Sequence, residues 1–174
     1  PYPVSMSFDT VDIPYSETLV RAYAKPAFDC LETHEGEVGL LFAPTRAQCI
    51  TAAQELTARF AMKGFTAHPD VESAAQSIQH QGLAHLVRQG LAFWHTNLSE
   101  RDRSTVERLA DMRWIRAVLC SFEAAEDVPI QTSLVIVLGT QYTTHASRHV
   151  QEYSLEPLWS MQRHAVRPNS MRGE

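Results

Sequence analysis

VGLLFAPTRAQCITAAQELTARFAMKG, Val38 to Gly64, decides the fold of this chain. VGLLFA is a short, continuous apolar run of strand length, the composition of a buried parallel strand. Thr45-Arg46-Ala47-Gln48 follows at once and has the form of a capping box. Thr45 stands at the N-cap and Gln48 reaches back. Cys49, Ile50, Ala53, Leu56 and Phe60 then recur at helical spacing, and Gly64 supplies a stop. A buried strand running directly into a capped helix is the building unit of an α/β sheet.

The same unit recurs on both sides. LAFWH (Leu91 to His95), IRAVLC (Ile115 to Cys120) and SLVIVL (Ser133 to Leu138) read as further apolar strands. Between them, Asp70 is placed to cap a helix lined by Val71, Ala74, Ala75, Ile78, Leu83, Leu86 and Val87. Gly82 marks an interruption in that helix and Gly90 its end. Ser99 gives a weaker capping signal before a helix bearing Val106 and Leu109. Upstream, PVSMSF (Pro3 to Phe8) reads as an opening strand. The helical run after Ser16 contains Pro26, which predicts a kink or break near Lys25. Thr143 to Glu152 is polar with no clear helix, and Ser154 opens a last short helix through Met161. The alternation predicts one α/β domain over residues 1–174, a doubly wound, mainly parallel sheet with helices on both faces. In such sheets ligands meet the loops beyond the strands' carboxyl ends, here beginning at Pro44, His95, Ser121 and Gly139.

Composition narrows the function. Fifteen basic against twenty acidic residues give a net charge of -5, which argues against a broad basic surface for nucleic acid. The three cysteines form no C-x-x-C pair and read as reduced, mostly buried thiols. No apolar run approaches the ~18 residues that span a membrane. The chain begins at Pro1 rather than Met and reads as a fragment of a much larger one. Neither GxxxxGK[ST] nor GxGxxG occurs, and Ala43-Pro44-Thr45-Arg46 stands where a Gly-rich turn would follow the first apolar strand. Triphosphate hydrolysis needs a phosphate cradle and a metal-holding carboxylate, so the chain is not a complete ATPase by itself. His145 and His149 are four apart but lack a third ligand of matching spacing, and they read as ordinary polar histidines. No metal site is expected. Of Trp94, Trp114 and Trp159, at least two belong to the core on their apolar surroundings. The basic residues Arg163, His164, Arg167 and Arg172 suit a solvated helix end or, in a sharper reading, a phosphate contact.

The ordered set of motifs resembles the second RecA-like domain of superfamily-two nucleic-acid helicases, above all the Ski-like group of two-cassette RNA helicases. LLFAPTRAQC resembles that group's "vFvpSRkq", with Pro44, Thr45 and Arg46 matching motif IV. LAFWHTNLSERDRSTVERL resembles "vgyhHegLsexdRxxVExLF", matching at His95, Leu98, Ser99, Arg103, Val106, Glu107 and Leu109. SLVIVLGTQY resembles "hlVIIkGTqyY". Motif V, "ATxxLAWGVNLPA", falls on Cys120 to Thr132. Its Thr, Gly and Asn become Ser121, Asp127 and Pro129. Motif VI, "QMxGRAGRP", falls on Ser160 to Pro168. Its first Arg becomes His164, its glycines become Arg163 and Val166, and Arg167 keeps the second Arg. A neutral His reproduces neither the charge nor the fork of an arginine finger. This decay is similar to that of the degenerate C-terminal cassettes of spliceosomal helicases that unwind paired small nuclear RNAs.

The resemblance implies a non-catalytic domain of a pseudo-helicase cassette in pre-mRNA splicing, located in the nucleus. It implies a regulatory and protein-docking role. Its partners would be its own first RecA-like domain, the active helicase cassette and splicing proteins, with RNA contact weak or absent and no membrane. No cofactor is implied for the domain alone; ATP and magnesium enter only with the first RecA-like domain. The alternatives are half of an active ATP-dependent RNA helicase cassette, or a related two-cassette helicase of another RNA pathway.

Overall fold

The computed structural model describes residues 5–12, 14, 16, 19–144 and 147–165. Four strands form one parallel sheet in the order β2-β3-β1-β4: β1 Gly39–Ala43, β2 Leu91–Trp94, β3 Ala117–Ser121 and β4 Leu134–Val137. β1 is flanked in register by β3 (Leu41 opposite Leu119) and by β4 (Leu41 opposite Ile136). Every residue of β1 and β3 is buried, because both faces of the sheet are covered.

Alternation along these strands divides the core in two. Leu40 and Phe42 of β1, with Val118 and Cys120 of β3, face a cluster built from α3 (Val71–Ser77), α4 (Gln81–Arg88) and α5 (Glu100–Asp111). Leu41 and Ala43, with Ala117 and Leu119, face α1 (Val20–Thr33) and α2 (Arg46–Met62). This is the expected α/β, RecA-like arrangement with helices on both faces. The apolar runs beginning at Val38, Leu91, Ile115 and Ser133 all become neighbours in one parallel sheet.

Local chemistry sets the element ends. The Thr45 hydroxyl accepts from the Gln48 backbone N–H at 3.2 Å and donates to the Gln48 side-chain oxygen at 3.2 Å. One half of the capping box thus forms, and the glutamine meets the hydroxyl rather than the backbone of Thr45. The Ser99 hydroxyl caps α5 by accepting from Asp102 N at 3.1 Å, a firmer cap than its sequence signal suggests. Gly90 takes φ +77 at the end of α4, and a Cβ there would run into the Phe65 ring.

Several expectations are corrected. α1 runs unbroken through Pro26. A proline inside a helix loses only one intrahelical N–H bond besides its ring clash, and here the buried stripe Val20, Ala24, Ala27, Phe28 and Leu31 outweighs that. Residues 5–8 of the expected opening strand have no regular structure; Pro3 and Val4 lie outside the described residues. Asp70 makes no side-chain cap to α3. Ile50, assigned to the apolar face of α2, is 56% exposed. The interruption falls at Ile78–His80, ahead of Gly82. Asp102 explains it: 2% exposed, its carboxylate accepts from Gln79 N at 2.9 Å and His80 N at 3.1 Å. The polar run Thr143 to Glu152 contributes to an antiparallel hairpin, β5 (Gln141–Thr144) and β6 (Ser147–Glu152), apart from the main sheet. His149 sits on β6 and His145 lies outside the described residues, so the four-residue spacing is not on a helix face. The last helix, α6, covers Leu155–Gln162.

Candidate functional site

The motif residues gather at the carboxyl edge of the parallel sheet. Pro44 is buried directly after β1, Thr45 caps α2, and Arg46 is the exposed first residue of that helix. Ser121 ends β3, paired with Ala43 and 4% exposed. A 3-10 turn, Phe122–Ala124, follows, and a loop then returns toward β4. In that loop Val128 and Ile130 point into the core at 2% and 6% exposure, while Asp127 and Pro129 are exposed. The alternation is that of an extended segment with one face anchored.

His164 closes over this loop from the end of α6. Its Nδ1 lies 2.8 Å from the Ile130 carbonyl oxygen and its Nε2 2.7 Å from that of Ala125. Its own carbonyl accepts from Thr132 N at 2.9 Å. The ring packs on Phe42 of β1, with centroids 5.8 Å apart. Each carbonyl can only accept, so a neutral ring, with one N–H, serves one of them and the imidazolium serves both. The Thr132 hydroxyl donates to Val38 O, tying the far end of the loop to the strand margin. The segments that resemble motifs V and VI are therefore brought together, and His164 is their joint. Arg167, with Val166 and Pro168, lies outside the described residues.

The hairpin leaves from the same place. Tyr142 and Tyr153 stack at 5.3 Å, and Phe122 contacts them at 5.3 and 4.8 Å. This aromatic junction of loop and hairpin was missed in the sequence because the strands beyond it are polar. Trp94 and Trp114 belong to the core and its margin, whereas Trp159 is 62% exposed.

A second group lines a cavity between α2 and α4, at the ends of β2 and β3. Arg46, His80, His95 and Ser121 line it. His95 stacks on Phe93 at 5.5 Å with planes 7° apart, and its Nδ1 is shielded from solvent with no partner among the described residues. Burial lowers the His95 pKa below its ordinary value, and the positive charge of Arg46 and the proximity of His80 push the same way. The His80 ring caps α4 by accepting from Leu83 N at 3.2 Å. His80 did not stand out as a site residue in the sequence, since a cap of this kind carries no motif, whereas His95 was expected at the start of a ligand-facing loop.

Chemically this edge offers an exposed arginine, a histidine biased to the neutral form and a backbone-tied histidine. Among the described residues no group of three His, Cys, Asp or Glu is arranged to hold a metal ion. Cys49 and Cys120 are buried, with the Cys49 pKa raised to about 12 and that of Cys120 raised well above its ordinary value, both by burial first. No helix among the described residues is long and apolar enough to cross a membrane.

No family model matches the chain. Nearly all of it is nevertheless similar to known helicases. It is 25% identical over 178 residues to the DExH-box ATP-dependent RNA helicase DExH12 of Arabidopsis thaliana, covering 97% of this chain and 8% of that protein. It is 25% identical over 175 residues to the U5 small nuclear ribonucleoprotein 200 kDa helicase of Homo sapiens, with 97% and 8% covered. Over 151 residues it is 29% identical to activating signal cointegrator 1 complex subunit 3 of Danio rerio, covering 83% of this chain and 10% of that protein. The chain thus spans a tenth or less of the length of these relatives. With its RecA-like sheet, the chain is similar over 97% of its length to DExH-box RNA helicases and U5 small nuclear ribonucleoprotein 200 kDa helicases.

Proposed function

We propose that the chain is the second RecA-like domain of a non-catalytic cassette in a spliceosomal two-cassette RNA helicase. There it serves as a regulatory and protein-docking platform in the nucleus. The observation that carries this reading is the posture of His164. It stands where motif VI has its first arginine, and both its ring nitrogens lie within hydrogen-bond distance of backbone carbonyls of the motif V loop, so the ring is turned inward and held there. A side chain so engaged is not free to meet a transferring phosphoryl group, and it lacks the guanidinium fork. Asp127 adds an exposed carboxylate where motif V has Gly, opposing a triphosphate by like charge. Pro129 removes a backbone donor from the same loop. These residues do not fit a triphosphate. ATP with magnesium would be held, if at all, with the first RecA-like domain and Arg167. The partners are that first domain, the active cassette and splicing proteins, with RNA contact weak or absent.

A second reading has its own support. The similarity to activating signal cointegrator 1 complex subunit 3 favours a related two-cassette helicase of another complex.

The test is duplex RNA unwinding by the parent protein carrying Arg167→Ala. An arginine finger is worth on the order of 10³–10⁵ in turnover. The non-catalytic reading expects the unwinding rate to stay near that of the unaltered parent. A loss of the arginine-finger size would make this domain half of a working motor.

A further inference from the structure

We propose that the cavity between α2 and α4 is a docking socket for a partner protein's segment that carries a large apolar side chain beside a carboxylate. The inference deepens the docking half of the function proposed above and does not depend on its catalytic half. The cavity measures about 350 Å³, within the range of about 300–1,000 Å³ typical of ligand sites. Its wall is apolar, formed by Ile50, Ala53, Leu86, Phe93 and Leu119. Ile50 stands at its rim 56% exposed, on a helix whose neighbouring Cys49, Ala52 and Ala53 are buried. An apolar side chain entering here would cover that rim and the wall behind it.

Apart from the neutral Gln54 and Ser121, the polar groups are basic. Arg46, His80, His85 and His95 line the cavity, and no Asp or Glu does. Arg46 is exposed, so the fixed positive charge sits at the surface while the interior stays apolar. That division fits an anchor whose hydrocarbon enters and whose charge remains at the mouth. The charge must be negative to complement Arg46. His95 lines the same space, with its Nδ1 shielded from solvent and without a partner among the described residues, and burial keeps the ring toward its neutral form. The cavity therefore offers a single permanent cation. A nucleic-acid strand, with one charge per nucleotide, is better served by a row of them.

The experiment titrates the chain with small probes and follows backbone amide resonances by NMR. Acetyl-Phe-Asp-amide carries the proposed chemistry. It is expected to shift Ile50, Leu86 and Leu119 in a saturable way at millimolar concentration. Acetyl-Phe-Lys-amide should bind about threefold or more weakly, the scale of one exposed ion pair. Arg46→Gln lies outside the core and should weaken the aspartyl probe by a similar factor, about threefold. No saturable shift at these residues, or equal binding of the lysyl probe, overturns the proposal. Tighter binding of 4-phenylbutyrate than of the dipeptide would assign the cavity to free apolar acids and overturn the protein segment. Stronger shifts of the same amides by decauridylate would assign it to RNA and overturn it equally.

Discussion

At the scale of the residue, His164 is the most constrained group in the motif region. Its two ring contacts and its own carbonyl join α6 to three points of one loop: Ala125, Ile130 and Thr132. A neutral His164 ring donates to one of its two neighbouring carbonyls, so His164→Ala leaves one carbonyl without its donor, a loss that costs about 1–3 kcal/mol when the group stays shielded. The expected outcome is a urea midpoint lowered by a destabilisation of about 1–3 kcal/mol. An unchanged midpoint would mean that the ring contacts are replaceable by water. His95 gives a pH prediction. Its folded pKa is lowered from 6.5, so the folded state holds the proton less tightly than the unfolded chain. The associated stability is fully present above about pH 6.5 and is lost as pH falls from there through the lowered folded value. Thermal melts between neutral pH and pH 5 should show a fall that is smaller in His95→Gln. Identical pH slopes in the two proteins would contradict this.

Among the elements, the α3–α4 break depends on one carboxylate. Asp102 accepts from the backbone N–H groups of Gln79 and His80, the residues where the chain turns between the helices. Asp102→Ala should cost about 1–3 kcal/mol, with faster amide exchange at Gln79 and His80. Exchange unchanged at both would show the break to be held by other contacts. The strands and capped helices of the sheet were legible in the sequence, because β1 and β3 are buried on both faces and so read as unbroken apolar runs. The break was legible only in part. Gly82 pointed to the region, but its cause lies about twenty residues away on α5, beyond any local pattern. The hairpin of β5 and β6 was not legible. Its strands lie outside the main sheet, Val150 stays 45% exposed, and only Tyr142 and Tyr153 at its base join the aromatic cluster. Pro26 misled in the other direction, since tertiary packing of α1 outweighed a local helix breaker. The motif positions were legible as positions. The inward turn of His164 was not, because a substitution read along a motif does not say where the new side chain finds its partners.

For the whole molecule, the sheet is intact, and under the proposed function the nucleotide-facing chemistry is not. Two faces of the sheet are covered by separate apolar clusters, and the loops at its carboxyl edge are tied down by His164, Thr132 and the aromatic junction. Such a domain keeps its shape whether or not it takes part in hydrolysis, which suits a platform. Its sites also differ in kind: the motif V and VI residues form a backbone-bonded joint, while Arg46 and His95 border an open cavity. The central claim is that the cassette containing this domain does not turn over ATP. Its most direct test is a steady-state, RNA-stimulated ATPase assay on the cassette, this domain joined to its first RecA-like domain. The predicted result is no turnover above background, and none on restoring Gly, Asn and Arg by Asp127→Gly, Pro129→Asn and His164→Arg, because Arg163 and Val166 still replace the glycines of motif VI. RNA-stimulated turnover by the unaltered cassette, abolished by Arg167→Ala, would contradict the account.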